Sequence, residues 1–404
     1  MAFGGWYWHD WNTEKVAYFK DYVDRFGVLQ GLFPLERENI KGRGRTYEFH
    51  YCGYDGILPW TRKPILRRVL CVNSFGMPVV DDRGLPLHED VAGIELRYDD
   101  KGRVLEKSLL FANGEIQSRW LFGHNDVGET IDVVRRGFDG RLGTSVLNTV
   151  AENGKPMKDL PSRFAVFRDS YGFIREVMFQ KGSEGTGTSL DGVDKVRYKP
   201  DEMGRISEAI ACAWDGKPVV DQDEGGDMIR LKYSPQGDLR TKTVFKAGEI
   251  ARIEEFQYDS YGNRICEHRY DGQRKPLTTK DGWFARRSEY DSNGEVVKTV
   301  HFSSEDKLSE RSDSVVIREV KYANGRVAED DVRYFRANNE GGKDVAGNSR
   351  VVKRFDSWGN PVEIRYWGED GNPLSSVKMR YSPKILQHCG TSWFDAEGKA
   401  HART

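Results

Sequence analysis

The sequence predicts a mainly β protein, an elongated antiparallel β-sheet of strand-turn-strand units about 32 residues long, preceded by one N-terminal helix. The first ground is recurrence. Tyr258-Asp259-Ser260-Tyr261-Gly262, Tyr290-Asp291-Ser292-Asn293-Gly294, Tyr322-Ala323-Asn324-Gly325 and Phe355-Asp356-Ser357-Trp358-Gly359 follow one another at steps of 32, 32 and 33 residues. A fixed period of this size marks one supersecondary unit used repeatedly, each burying its apolar face against its neighbours. The second ground is alternation. In Arg264 to Tyr270, Ile265, Glu267 and Arg269 fall on one face while Cys266, His268 and Tyr270 fall on the other. Val296 to Phe302 and Val362 to Tyr366 repeat the pattern, and neither face is wholly apolar, as in an antiparallel sheet with at least one wet face.

The helix is predicted over Thr13 to Phe26. Val16, Phe19, Tyr22, Val23 and Phe26 recur at three and four residues, Asn12 or Thr13 can cap the start, and Gly27 can end it. Tyr47 to Tyr51 alternates like a first strand. A boundary near residues 70 to 90 divides the chain into an N-terminal aromatic and helical cap with the first strands, residues 1–90, and a β-repeat body, residues 91–404. In that body the turns follow two grammars. Asp followed by Gly three residues on, as in Asp99 to Gly102, Asp259 to Gly262 and Asp291 to Gly294, pairs a side chain that bonds its own backbone with a residue that accepts positive φ. Asp215-Gly216-Lys217-Pro218, Asn153-Gly154-Lys155-Pro156 and Asp370-Gly371-Asn372-Pro373 put Gly at the bend and Pro where the next strand begins at an edge. Lys181 to Asp194, rich in Gly, Ser and Thr, is an insertion between units.

The chain has 404 residues, with 62 basic and 63 acidic side chains for a formal net charge of −1, so no global field attracts nucleic acid or an anionic membrane. Five dispersed cysteines, Cys52, Cys71, Cys212, Cys266 and Cys389, form no Cys-x-x-Cys pair and suggest neither a disulfide framework nor a zinc ribbon. The first residues lack a basic region followed by an apolar run, and no stretch approaches 18 uncharged apolar residues, which points to a cytoplasmic, soluble chain.

Tyr258 to Asn263, Asp271 to Pro276 and Asp281-Gly282-Trp283-Phe284-Ala285 resemble the tyrosine-aspartate tandem repeats of bacterial RHS and related proteins, and Phe111 to Ile116 and Tyr322 to Val327 look like MORN-type variant repeats. The resemblance covers roughly residues 95 to 400 and implies a β-sheet module. Related bacterial repeats accompany protease, kinase or other effector domains, which implies a recognition or regulatory role and, as partner, a bacterial protease or a signalling or effector protein.

Few residues suggest chemistry. His50 with Cys52, and Cys266 with His268, lie two apart on strands and project from one face, so two such pairs could furnish four zinc ligands or a thiol nucleophile with its base. Nothing in the sequence brings the pairs together, and buried cysteine is ordinarily a small hydrophobe. The turn aspartates lack the calcium-loop grammar and read as structural. No Gly-rich loop sits between a strand and a helix, so no cofactor, metal site or catalytic residue is assigned. The binding candidates are Trp6, Trp8 and Trp11 of the dense aromatic start, Arg43 and Arg45 of the basic run, and Trp60. The expected function is a non-catalytic protein-interaction or regulatory module of a bacterial effector, toxin or defence system. A thiol- or metal-dependent hydrolase and a glycan-binding protein stand as alternatives.

Overall fold

A computed structural model describes residues 15–25, 28–55, 63–81, 91–99, 102–125, 128–136, 142–143, 163–169, 173–181, 185–186, 193–222, 224–278, 282–304, 307–311, 313–357, 359–381 and 388–401. The strands are β1 (Lys15–Arg25), β2 (Val28–Leu35), β3 (Thr46–Asp55), β4 (Lys63–Val72), β5 (Gly93–Tyr98), β6 (Val104–Leu110), β7 (Ile116–Asn125), β8 (Gly128–Arg136) and β9 (Leu142–Gly143). There follow β10 (Arg163–Arg168), β11 (Ile174–Lys181), β12 (Gly185–Thr186), β13 (Lys195–Pro200), β14 (Ile206–Cys212), β15 (Met228–Tyr233), β16 (Leu239–Lys246), β17 (Glu249–Tyr258) and β18 (Arg264–Tyr270). The last are β19 (Ala285–Tyr290), β20 (Val296–Phe302), β21 (Val315–Ala323), β22 (Arg326–Phe335), β23 (Arg350–Phe355), β24 (Pro361–Trp367), β25 (Pro373–Tyr381), β26 (His388–Asp395) and β27 (Ala400–His401).

All belong to one antiparallel sheet. Pairing starts β2-β1-β3-β4 and then follows chain order, with β9 and β12 set beside β8 and β11. The ladder passes from β4 to β5 through Arg68↔Glu95 and Leu70↔Gly93, so backbone pairing links the strands on either side of residue 90. Among the described residues no α-helix occurs, only one 3-10 turn over Arg37–Ile40.

The helix expected over Thr13 to Phe26 is therefore corrected: its described part, residues 15–25, is β1. In so short a run, apolar residues at 16, 18, 19, 22 and 23 fit either period, and Val, Tyr and Phe favour the pleated backbone. What decides is pairing on both sides, Tyr22↔Gly31 with β2 and Ala17↔Phe49 with β3, which satisfies the strand's backbone groups.

One apolar cluster holds the first strands, with Tyr47, Phe49, Val69, Ile94, Leu96, Leu109 and Val177 among its fully buried members. Phe49 meets Phe19 edge-on at 4.8 Å between ring centroids. Inside the cluster lies a charge: Lys107 of β6 is fully buried, ion-paired with Asp24 of β1 and 4.4 Å from the Trp120 ring centroid. The flat distance from β1 to β6 across four strand spacings is about 19 Å. That the two side chains touch shows that the sheet rolls tightly here.

Candidate functional site

The tyrosine-aspartate hairpins are built by local bonds. Asp259 Oδ1 accepts from the amides of Tyr261 at 2.9 Å and Asn263 at 2.8 Å, and Asp201, Asp291 and Asp344 each bind the second and fourth following amides likewise. Gly262 then takes φ +86° and Gly294 φ +83° to turn the chain back. The register shifts by one residue just before Tyr233, Tyr258, Tyr290 and Tyr322, a recurrent bulge that re-aims each ring. Tyr98, Tyr233 and Tyr290 donate their hydroxyls to the carbonyls of Leu66 at 2.7 Å, Ile206 at 3.1 Å and Arg264 at 2.7 Å, near one end of an earlier strand. Burial pushes the Tyr258 and Tyr198 phenols up to about 12, so both stay protonated at neutral pH.

The row of turns is covered by the N-terminal strands. Lys20 Nζ of β1 stands 2.7 Å from Asp238 and donates to the Gln236 carbonyl at 2.9 Å. Arg43 donates to the carbonyls of Asn39 at 2.8 Å and of Tyr261. Asn263 binds the same loop twice, accepting from the Gly44 amide at 3.2 Å and donating to the Gly42 carbonyl at 2.9 Å. Asn73 donates to the Gly325 carbonyl at 3.0 Å, and Phe75 packs on Tyr322 at 5.3 Å. A Cβ on Gly44 would come within 2.6 Å of the Gly294 carbonyl oxygen. Strands more than ten places apart in one ladder, spaced about 4.8 Å each, can meet only if the sheet coils back on itself. The end of β1–β4 thus docks on the turns between β15 and β22.

From β13 to β25 the two faces of the sheet differ. The tyrosine-bearing face holds half-buried rings, aliphatic groups and recessed ion pairs such as Arg318 with Asp330 at 2.6 Å. The other face carries charge. Register pairs place Arg230 opposite Glu208, and Arg354 opposite both Glu329 and Glu363, with N–O distances of 3.0, 3.0 and 3.3 Å. Arg350 binds Asp331 at 2.7 Å. The carboxylates lie low and the longer guanidiniums above them, so of the thirteen exposed charged side chains on this face eleven are Lys or Arg, the exceptions being Glu289 and Glu319. No patch of this sort could be read from a chain whose net charge is −1.

Of the expected binding residues, Trp6, Trp8, Trp11 and Trp60 lie outside the described residues. Arg43 belongs to the seam, where burial draws its pKa down, and Arg45 stands 3.7 Å from Asp81. Cys266 Sγ is 3.6 Å from His268 Nε2, and burial pushes the thiol up, away from thiolate character. His50 Nε2 stands 3.3 Å from Glu48. The side chain of Cys52 is outside the described residues. Among the described residues no three His, Cys, Asp or Glu side chains gather to hold a metal, and no helix is long and apolar enough to cross a membrane. Several aromatic faces are capped by guanidinium groups, Arg269 at 3.7 Å from the Trp283 centroid and Arg350 at 4.8 Å from Trp367.

The chain matches no protein family and no curated protein. Similar solved structures include TcdB2-TccC3 with Cdc42, at 9% identity and TM-score 0.26, covering 90% of this chain and 20% of that one. TcdB2-TccC3-TEV is similar at 11% identity and TM-score 0.30, covering 96% and 24%, and TcdB2-TccC3 at 10% and 0.25, covering 87% and 24%. The chain thus spans no more than 24% of the length of these matched chains. The strand pairing described above, and not this likeness, is the ground for the fold.

Proposed function

We propose that the chain is a non-catalytic protein-interaction module, a tandem tyrosine-aspartate β-repeat of about 32-residue units that serves a bacterial effector, toxin or defence system. The observation that carries this reading is the broad, charged outer face of β13–β25, continuous across strand after strand. Extended repeat surfaces suit the recognition of another protein. The raised Cys266 thiol weighs against a thiol hydrolase, and the guanidinium caps on Trp283 and Trp367 weigh against sugar stacking.

The test is capture of partners by the tagged full chain from a bacterial lysate, followed by lysine-directed cross-linking and mass spectrometry. A partner cross-linked through Lys199, Lys232, Lys321 or Lys378 supports the reading. A partner linked only elsewhere, or turnover of a substrate lost with Cys266→Ala, contradicts it.

A further inference from the structure

We propose that the outer face of β13–β25 docks an acidic polypeptide segment, and that Lys199, Lys232, Arg287 and Lys378 supply the charges that hold it. The inference rests on the interaction-module reading and adds the chemistry of the partner. On this face most guanidiniums already have a carboxylate: Arg197 has Glu176, Arg230 has Glu208, Arg354 has Glu329 and Glu363, and Arg333 has Asp331. Among the described residues Lys199, Lys232, Arg287 and Lys378 have no carboxylate within ion-pair distance, since the Glu208 and Glu363 that face Lys199 and Lys378 in register are held by Arg230 and by Arg354 and Arg365, and all four are exposed. Arg287 lies 4.6 Å from the Phe302 ring centroid and Lys378 5.3 Å from that of Phe394, so aromatic contacts steady both cations.

Spacing selects the class of ligand. These four residues sit on β13, β15, β19 and β25, so about 10 to 30 Å of sheet separates one from the next. Carboxylates recessed between them, such as Glu255, Glu329 and Asp331, would face any ligand that carried unbroken negative charge. Duplex nucleic acid has a charge about every 1.7 Å along its axis, and would bring phosphates against those carboxylates. An acidic polypeptide can place carboxylates at the cations and uncharged residues over the recessed acids, with charge-assisted hydrogen bonds at each end.

The experiment uses the full chain, a fluorescent twenty-residue peptide alternating Glu and Ser, a Gln-for-Glu copy of it, and a twenty-nucleotide DNA duplex. A fourfold variant, K199Q/K232Q/R287Q/K378Q, is compared after its melting temperature shows that it is folded. The expected result is that the acidic peptide binds, that its Kd rises at least about tenfold in the variant and as salt screens the charges, and that the Gln peptide does not bind. Equal binding by variant and parent, no binding of the acidic peptide, or tighter binding of the duplex would overturn the proposal. If the fourfold variant still captures the parent's protein partner from lysate, the acidic-segment proposal fails while the interaction-module reading stands. Two single variants, K199Q and K232Q, separate charge from packing if the fourfold variant does not fold.

Discussion

In β1–β11 the side chains that close the sheet are apolar, with Phe49 and Leu109 fully buried and Lys107 enclosed among them. In β13–β25 the hairpins and turns are of the same kind, and the Arg–Glu pairs and tyrosine hydroxyl bonds already present at Arg68–Glu95 and Tyr98 recur from strand to strand. One backbone pattern thus tolerates two kinds of adhesive. Where the sheet rolls on itself it can exclude water and rely on apolar burial. Beyond that cluster it adds pairwise contacts, each worth less and more exposed to solvent, to buried side chains such as Val244 and Phe284.

The comparison breaks most sharply at Lys107. Lys107→Ala leaves the mostly buried Asp24 without its lysine, and should cost about 3 to 5 kcal/mol in urea unfolding, whereas Lys107→Met with Asp24→Leu should recover most of that loss. Gly294 and Gly347 separate the seam from the turn itself. Both have positive φ, +83° and +92°, but a Cβ at Gly294 meets the Gly44 backbone and one at Gly347 meets nothing within 4 Å. Gly347→Ala should cost about 1 to 2 kcal/mol for the left-handed backbone, and Gly294→Ala clearly more, with faster proteolysis of the 36–45 loop as its signature.

These two glycines also show what the sequence could and could not disclose. The Asp and Gly of each turn were legible because their bonds span only two to four residues, as at Asp259. The seam was not, because Gly44 and Asn263 lie 219 residues apart and no local pattern reports such a meeting. β1 read as a helix because an eleven-residue run satisfies both periods, and its pairing with β2 and β3 carries no local signature. The basic outer face was hidden for a different reason. The whole-chain totals of basic and acidic side chains balance, and only the pleat and the strand register gather the cations onto one face.

Smaller effects sharpen the contrast. Tyr290→Phe removes one hydroxyl bond to the Arg264 carbonyl and should cost about 1 kcal/mol, read as a lowered melting temperature. Burial holds the His301 pKa below its ordinary value, so the unfolded chain gains a proton before the folded one does. Stability is therefore full above the unfolded value and falls as pH drops below it; His301→Gln should flatten that acid-side decline in denaturation curves taken at successive pH values. Arg354→Met should cost only about 0.5 kcal/mol, and less as salt is added, because the side chain is half-exposed.

The claim that the molecule is one coiled sheet, with its first strands docked on the turns of its later ones, is tested most directly by zero-length carbodiimide cross-linking. Lys20 and Asp238 stand 2.7 Å apart across the seam, and Lys242 of β16 and Glu224 just before β15 stand 2.6 Å apart as an internal control. The account predicts that peptide mass spectrometry finds both amide links in the monomer. The control link without the Lys20–Asp238 link would contradict it.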